Sequence, residues 1–480
     1  MNLYYISPEL SMIALAMVVV LLDLAVQKKG ILTAVSVVGL LVPLAFTLSL
    51  SGALGGVANG RALTFSDMFI VDSYSLFFKV LFIAVAGLVI LASQDYMVKM
   101  KRFHGEYLAL VLFCTSGFMF LASTGELITI YLSLELTALS LAVLICFLKD
   151  GRSTEASIKF LLLSAISSAV MLYGMALVFG LTGTTKLVEI AQSIGSVSHM
   201  VQQPALLMGV VFIITGFGFK VASVPFQMWV PDAYEGAPTP VTAFLSVASK
   251  AAGFAVLLRV LYVAFGSVSV DWGLLFAVLA AASMFLGNLV AIVQTNIKRM
   301  LAYSTIAHAG YMLIGLAATS ALGTTAVLFY MAAYAVTNLG AFFAIIAITN
   351  KTGSDNIADF TGMARRAPVL SFALAVCLVS LTGVPPTAVF WAKIYLFNAA
   401  IQGGLLWLAV VGVVNSVISA YFYMRVIKVM YLGQPASDER VPSSGALRLA
   451  LAITGIGVIV IGLLPAPLLQ AAQDALTRFP

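Results

Sequence analysis

The residues of this chain that could do chemistry are charges placed where apolar sequence surrounds them. Lys220 lies in "GFGFKVASVPFQMWVPD", an apolar segment broken at Pro225 and Pro231. On insertion scales a lysine at mid-bilayer depth costs about 2.5–3.5 kcal/mol, and each proline removes a backbone donor that lipid does not replace. Glu135 sits in the middle of "ITIYLSLELTALSLAVLI" with no opposite charge within a helical turn. Its partner must come from another helix, unless it is simply protonated or caps a local kink. Lys220 is the candidate counter-ion. At an effective dielectric of about 20, two charges about 4 Å apart attract by roughly 4 kcal/mol, so making or breaking this pair would act as a proton switch.

Lys250 falls in the middle of "PVTAFLSVASKAAGFAVLLRV", among small residues that permit close helix packing and water entry. Lys159 follows Glu155 by four residues in "TEASIKFLLL", near a helix end, where an ordinary surface pair is the alternative. Arg259 and Lys79 lie nearer the ends of their segments, and snorkelling or a structural ion pair is the better expectation for both. The theme returns in "SLTGVPPTAVFWAKIYLF", where Gly383, Pro385 and Pro386 interrupt the run and Lys393 follows. His308, in "KRMLAYSTIAHAGYML", is suited to relaying protons near neutrality, though a neighbouring hydroxyl or carbonyl could equally satisfy it.

Fourteen apolar segments must carry these residues, roughly 9–26, 31–50, 74–93, 107–123, 127–148, 158–181, 205–221, 241–265, 272–293, 301–318, 324–348, 370–397, 405–424 and 449–469. Each approaches the length needed to cross about 30 Å of hydrocarbon as a helix. With 480 residues, 62% hydrophobic and only 9% charged, and a mean hydropathy of +1.08, the chain reads as an all-α polytopic membrane protein. The breaks fall in the seventh and twelfth segments, five apart, an odd number. The corresponding helices then cross in opposite directions, which implies two inverted five-helix repeats with discontinuous helices 7 and 12. The expected organisation is a single integral membrane domain over 1–480: three N-terminal helices in 1–105, the first repeat in 106–265, the second in 266–430, and a loop with the last helix in 431–480. Broken helices at matching repeat positions point to an ion path near the midplane, where freed carbonyls and helix ends hold water. A proline kink that serves packing alone is the plainer reading of each break.

If the amino terminus lies outside, inner loops and helix ends collect Lys28, Lys29, Lys99, Lys101, Arg102, Lys149, Arg152, Lys298, Arg299, Lys351, Arg365, Arg366, Arg425, Lys428, Arg440 and Arg448. Only Arg61, Lys186 and Arg478 fall outside. The positive-inside rule therefore predicts both termini on the outer, periplasmic or equivalent side. The start "MNLYYISPEL" has no basic region, so a cleaved leader is not expected. Net charge +6 is accounted for by the loops and needs no nucleic acid. Cys114, Cys146 and Cys377 are far apart within apolar runs and form no disulfide or metal motif. A single mid-span histidine excludes a cytochrome with paired axial histidines. No cofactor or metal is expected on this chain.

The stretch "PFQMWVPDAYEGAPTPVTAFLSVASK", residues 225 to 250, with "NIKRMLAYSTIAHAGYML", "SLTGVPPTAVFWAK" and "YFYMRVIKVMY", resembles the antiporter-like membrane subunits of proton-pumping NADH-quinone oxidoreductase, respiratory complex I. The wording "YEGAPTPVTAFL" is similar to the subunit N form, and the resemblance covers nearly the whole chain. It implies that Glu135 is the fifth-helix glutamate coupled to Lys220 in the seventh. It further implies that Lys159 is the sixth-helix lysine, Lys250 the central eighth-helix lysine and Lys393 the twelfth-helix residue at the exit side. With His308 these would form a mid-membrane axis for protons and water. The resemblance implies FMN, iron-sulfur clusters and quinone on other subunits, the other membrane-arm subunits as partners, and most simply a bacterial plasma membrane. The chain departs from the family at Val389 and Ala392, where glycine is more usual around the twelfth-helix lysine. No long lateral helix follows the last segment, which argues against the distal subunit L. A subunit of a cation/proton antiporter or membrane-bound hydrogenase, and a non-conducting scaffold, are the rival readings.

Overall fold

The computed structural model describes residues 3–26, 30–54, 60–100, 103–197, 199–434, 439–477 and 479. Lys28, Lys29, Lys101, Arg102 and Arg478, and the Lys99 side chain, lie outside what it describes. Thirteen helices among the described residues are long and apolar enough to cross a membrane, and Pro368–Thr382 is a shorter apolar one. These fourteen correspond one to one with the segments expected from hydropathy. The second is interrupted between Gly30–Gly39 and Leu41–Leu54. The last is shorter than its apolar run, because the helix Gly445–Leu463 stops before Pro465 and a separate helix, Ala466–Leu476, follows. Proline at the start of a helix is tolerated, whereas within one it removes a backbone bond. A two-stranded antiparallel ribbon, Ala62–Thr64 with Phe69–Val71, is the only sheet among the described residues.

The centre is made of the spans Thr239–Ala264, Ile297–Ala317 and Ala321–Thr352, whose apolar windows are 100%, 94% and 89% buried. They carry Lys250 and His308, so the polar groups lie on the helices least exposed to lipid. Gly266–Ile292 and Ile297–Ala317 form one of the most extensive helix pairings. They approach so closely that a Cβ on Gly310 would lie 2.8 Å from the Met284 nitrogen, and one on Gly287 2.6 Å from the Ala307 nitrogen. Small residues let membrane helices meet backbone to backbone.

The two halves share local structure. Gly151–Thr182 and Ala321–Thr352 are both 32 residues long. Asp150 caps the first by accepting from the Ser153 N–H, and Ser320 caps the second by accepting from the Gly323 N–H. Both end at a left-handed glycine, Gly183 and Gly353. After each, the chain pairs with the loop ahead of the preceding span: the Leu187 N–H donates to the Gly125 carbonyl at 3.0 Å and the Ile357 N–H to the Thr295 carbonyl at 2.8 Å.

Candidate functional site

A helix that stops inside a membrane protein leaves carbonyls without partners, and each must find a donor. The seventh span, Pro204–Val221, stops at Ala222, which is left-handed at φ 62°. Its last turn is satisfied from three directions. The Ser223 N–H donates to the Gly218 carbonyl at 2.9 Å. The Trp229 indole donates to Phe219 at 2.9 Å, and the Lys250 ammonium, from the next span, to Val221 at 3.3 Å. The helix then restarts as Trp229–Gly236, which contains Pro231.

The twelfth span breaks with similar backbone geometry and a different donor. Pro368–Thr382 ends at Gly383, φ 89°, and the chain resumes as Ala388–Gln402 after Pro385 and Pro386. Lys393, on the resumed half, reaches back and donates to the Thr382 carbonyl at 2.8 Å and to Leu381 at 3.3 Å. The left-handed backbone favours glycine at position 383, and a Cβ there would sit 2.9 Å from Lys393 Cδ, so the lysine would have to shift. Above the ammonium, 4.5 Å away, lies the ring of Tyr311. Carbonyls at a helix C-terminus carry partial negative charge, and an aromatic face attracts a cation. Lys393 is therefore held by neutral groups, and Lys250 by a carbonyl.

Between the two breaks lies a cage that the sequence did not announce. His308 Nδ1 is 2.7 Å from the Tyr330 hydroxyl and Nε2 is 3.2 Å from that of Tyr423. Tyr423 in turn meets Ser304, and Tyr334 donates to Thr305 at 3.1 Å. Toward Lys250, the Asn338 amide donates to Ser246 at 2.7 Å, one turn from the lysine. The Asn338 Oδ1 is buried without a hydrogen-bond partner. Residues Leu245–Ser249, just before Lys250, are π-helical, and such bulges free backbone groups and often occur at functional sites. The one signal available in sequence was a tyrosine or asparagine in the middle of an apolar span, and Tyr311, Tyr330, Tyr334 and Tyr423 converge only when their three helices do.

Of the expected site residues, Lys220, Lys250, His308 and Lys393 are buried. Lys220 borders a cavity of about 10 Å³, room for about one water, shared with Thr137, Ser249 and Gly253. Thr137 comes from the helix of Glu135, but no contact within 4 Å joins Lys220 to Glu135 among the described ion pairs, and Glu135 Oε1 has no hydrogen-bond partner. Lys159 is 46% exposed and pairs with Glu155 at 2.8 Å and Asp232 at 3.0 Å. Asp232 and Glu235 also bind Arg299, at 2.9 and 2.8 Å, and Glu235 binds Arg152. Lys159 thus meets the restarted half of the seventh span, in a half-exposed charge cluster.

Lys79 and Arg259 are structural pairs: Lys79 lies 2.8 Å from Glu9 with both fully buried, and Arg259 makes a two-pronged bridge to Asp72 at 2.9 Å. Lys298, assigned to an inner loop from sequence, is also buried, with its ammonium 2.8 Å from the Ala237 carbonyl and 3.7 Å from Asp355.

A family described as NADH:quinone oxidoreductase/Mrp antiporter, TM, matches residues 124–419. NADH-quinone oxidoreductase subunit N of Dehalococcoides mccartyi is 47% identical over 483 residues, covering 98% of each chain. A chain of respiratory complex I from Thermus thermophilus with bound aureothin superposes with a TM-score of 0.80 at 30% identity, over 97% of this chain and 99% of that one. A chain of a membrane-bound sulfane sulfur reductase, an archaeal respiratory membrane complex, gives a TM-score of 0.88 at 27% identity, over 99% and 97%.

Proposed function

The chain belongs to the NADH:quinone oxidoreductase/Mrp antiporter family of membrane subunits, and on that premise we propose that it is the subunit N-type proton-translocating component of an NADH-quinone oxidoreductase. Electron transfer then takes place on other subunits, which hold FMN, iron-sulfur clusters and quinone, and this chain's own residues move protons. The observation that carries the reading is the pair Lys250 and Lys393, each buried and each donating to the carbonyl end of a broken span. A lysine held by carbonyls can give up its proton without stranding a buried anion, and the carbonyls attract it when the proton returns.

In this mechanism Glu135 and Lys220 set the direction. When the carboxylate closes on the ammonium to about 4 Å, the charged lysine gains roughly 4 kcal/mol at an effective dielectric of about 20, and it loses that when the pair opens. A protonated Lys220, one residue before the Val221 carbonyl to which Lys250 donates, favours passage of the Lys250 proton toward His308 and its tyrosines, and then to Lys393. Lys159, linked to Asp232 beyond the first break, connects the axis to the half-exposed charge cluster. The shared caps and loop pairings of the two 32-residue helices support inverted repeats. The surplus of basic residues on one set of loops supports termini on the outer side of a bacterial plasma membrane.

The test is proton pumping and quinone reductase activity, measured side by side in membranes carrying Lys220→Ala or Lys250→Ala in an otherwise intact complex. Loss of a charged hydrogen bond worth about 1.5–3 kcal/mol predicts a drop of roughly tenfold to a hundredfold in coupled turnover for Lys250→Ala. Unchanged rates and stoichiometry with assembly preserved would leave only the scaffold reading. The likeness to the sulfane sulfur reductase chain keeps a second membrane complex in view. Co-purification of flavin and iron-sulfur NADH-oxidising subunits decides between the two.

A further inference from the structure

Away from the axis, a groove of about 750 Å³ opens between the twelfth span, Pro368–Thr382, and the fourteenth, Gly445–Leu463. Its two ends differ in chemistry. At one end stand four arginines: Arg365 and Arg366 just ahead of the first helix, Arg440 ahead of the second, and Arg448 in its first turn. From there the walls are apolar, with Val369, Phe372 and Val376 on one side and Leu451, Ile456 and Ile459 on the other. From Arg448 to Ile459 the groove follows eleven residues of helix, about 16 Å at the helical rise. Gly455 lies in this lining with nothing within 4 Å of where a Cβ would stand, so the groove reaches the helix backbone there.

We propose that this groove binds an anionic phospholipid, with its phosphate at the four arginines and an acyl chain along the apolar walls. Arg366 and Arg448 are already oriented, through Arg366 Nε to the Glu439 carbonyl at 3.0 Å and Arg448 Nε to the Ser443 hydroxyl at 3.0 Å. Each keeps its terminal guanidinium nitrogens for a further acceptor, and those nitrogens match phosphate in a planar, two-pronged way. The nearby Glu439 carboxylate lies 2.7 Å from Lys351 and also faces Arg366, and this one acid leaves the end with its four arginines and Lys351 net positive. Four positive charges at the polar end ask for a ligand of negative charge, and a groove as long as part of an acyl chain asks for a hydrocarbon tail. Free phosphate would satisfy only the first requirement, and an apolar helix of a neighbouring subunit only the second. Phe372 at 60% and Ile456 at 61% exposure leave the walls open to such a tail. A basic pocket between membrane helices at the basic face is a setting in which acidic headgroups are bound.

The intact complex, purified in detergent and washed until bulk lipid is gone, is assayed for retained phospholipid by mass spectrometry. It is then re-supplied with phosphatidylglycerol or phosphatidylcholine. The unmodified complex is expected to retain anionic lipid that Gly455→Leu releases, because a Cβ at this position meets nothing within 4 Å and the side chain extends into the groove. Arg440→Gln with Arg448→Gln is expected to reduce the preference for phosphatidylglycerol over phosphatidylcholine by about fivefold per arginine removed. This second variant alters only the groove's polar end and carries the test if the leucine disturbs assembly. Equal retention in all three complexes, no preference between the two headgroups, or cross-linking of Gly455→Cys to a neighbouring subunit across the groove would overturn the proposal. Proton pumping is a separate readout, and its loss or persistence in Lys250→Ala bears on the translocation reading alone.

Discussion

The ends of the spans and their middles both bury cations, and they hold them in opposite ways. Near span ends Lys79 meets Glu9 and Arg259 meets Asp72, each cation against a carboxylate. At the centre Lys250 and Lys393 meet carbonyls, and Lys393 a tyrosine ring. A cation paired with a carboxylate is a fixed charge, because removing its proton strands an anion in low dielectric. A cation held by carbonyl dipoles leaves nothing charged behind. The difference separates charges that brace the fold from charges able to move, a distinction that counting buried lysines does not make.

The largest expected effect tests the bracing side. Burial alone would raise the Asp72 carboxyl, but the Arg259 guanidinium beside it prevails and holds it below the usual carboxylate range. A lowered value means that the bridge contributes its stability at neutral pH and through mild acid, and loses it only as pH falls through that value. Asp72→Asn leaves Arg259 buried without its counter-charge and is expected to cost about 3–5 kcal/mol. Thermal denaturation of the purified complex reads the loss, with turnover per assembled complex unchanged. A variant as stable as the parent would put Arg259 in the mobile class and collapse the comparison.

A smaller effect tests the two breaks against each other. Gly383→Ala places a side chain in left-handed backbone and against Lys393, and a cost of about 1–3 kcal/mol is expected. Ala222→Gly relieves the corresponding residue of the first break and is expected to gain up to about 1 kcal/mol. The same melting curves measure both, and equal signs would show that the two breaks do not share their backbone requirement.

The smallest effect concerns Lys159, whose ion pairs are half exposed. Such pairs are screened by water and contribute little, so Lys159→Ala should barely move stability. Its effect on pumping should fall well below that of Lys250→Ala. An equal loss would place the half-exposed cluster in the path beside the buried lysines.

Much of this was readable from the chain. Runs of about twenty apolar residues gave the spans, since a membrane helix must satisfy its own backbone and cover it with hydrocarbon. The prolines at 225, 385 and 386 marked both breaks, and Arg259 and Lys79 read as snorkelling or structurally paired, of which the second holds for both. The identity of that carboxylate was not legible: Glu9 is seventy residues from Lys79, and Asp72 far from Arg259. Nor was the tyrosine cage, because Tyr311, Tyr330, Tyr334 and Tyr423 read as ordinary amphipathic aromatics until their helices meet at His308.

By itself the sequence determined that this chain crosses a membrane many times, breaks two spans at Val-Pro and carries cations at mid-span. These are local properties, set by transfer free energy and by proline's missing donor, and each is decided within about twenty residues. Only the tertiary structure decided that Lys250 serves the helix end at Val221 while Lys393 serves its own span's end at Leu381 and Thr382. A carbonyl accepts whichever donor packing brings within about 3 Å, and sequence distance has no part in that choice.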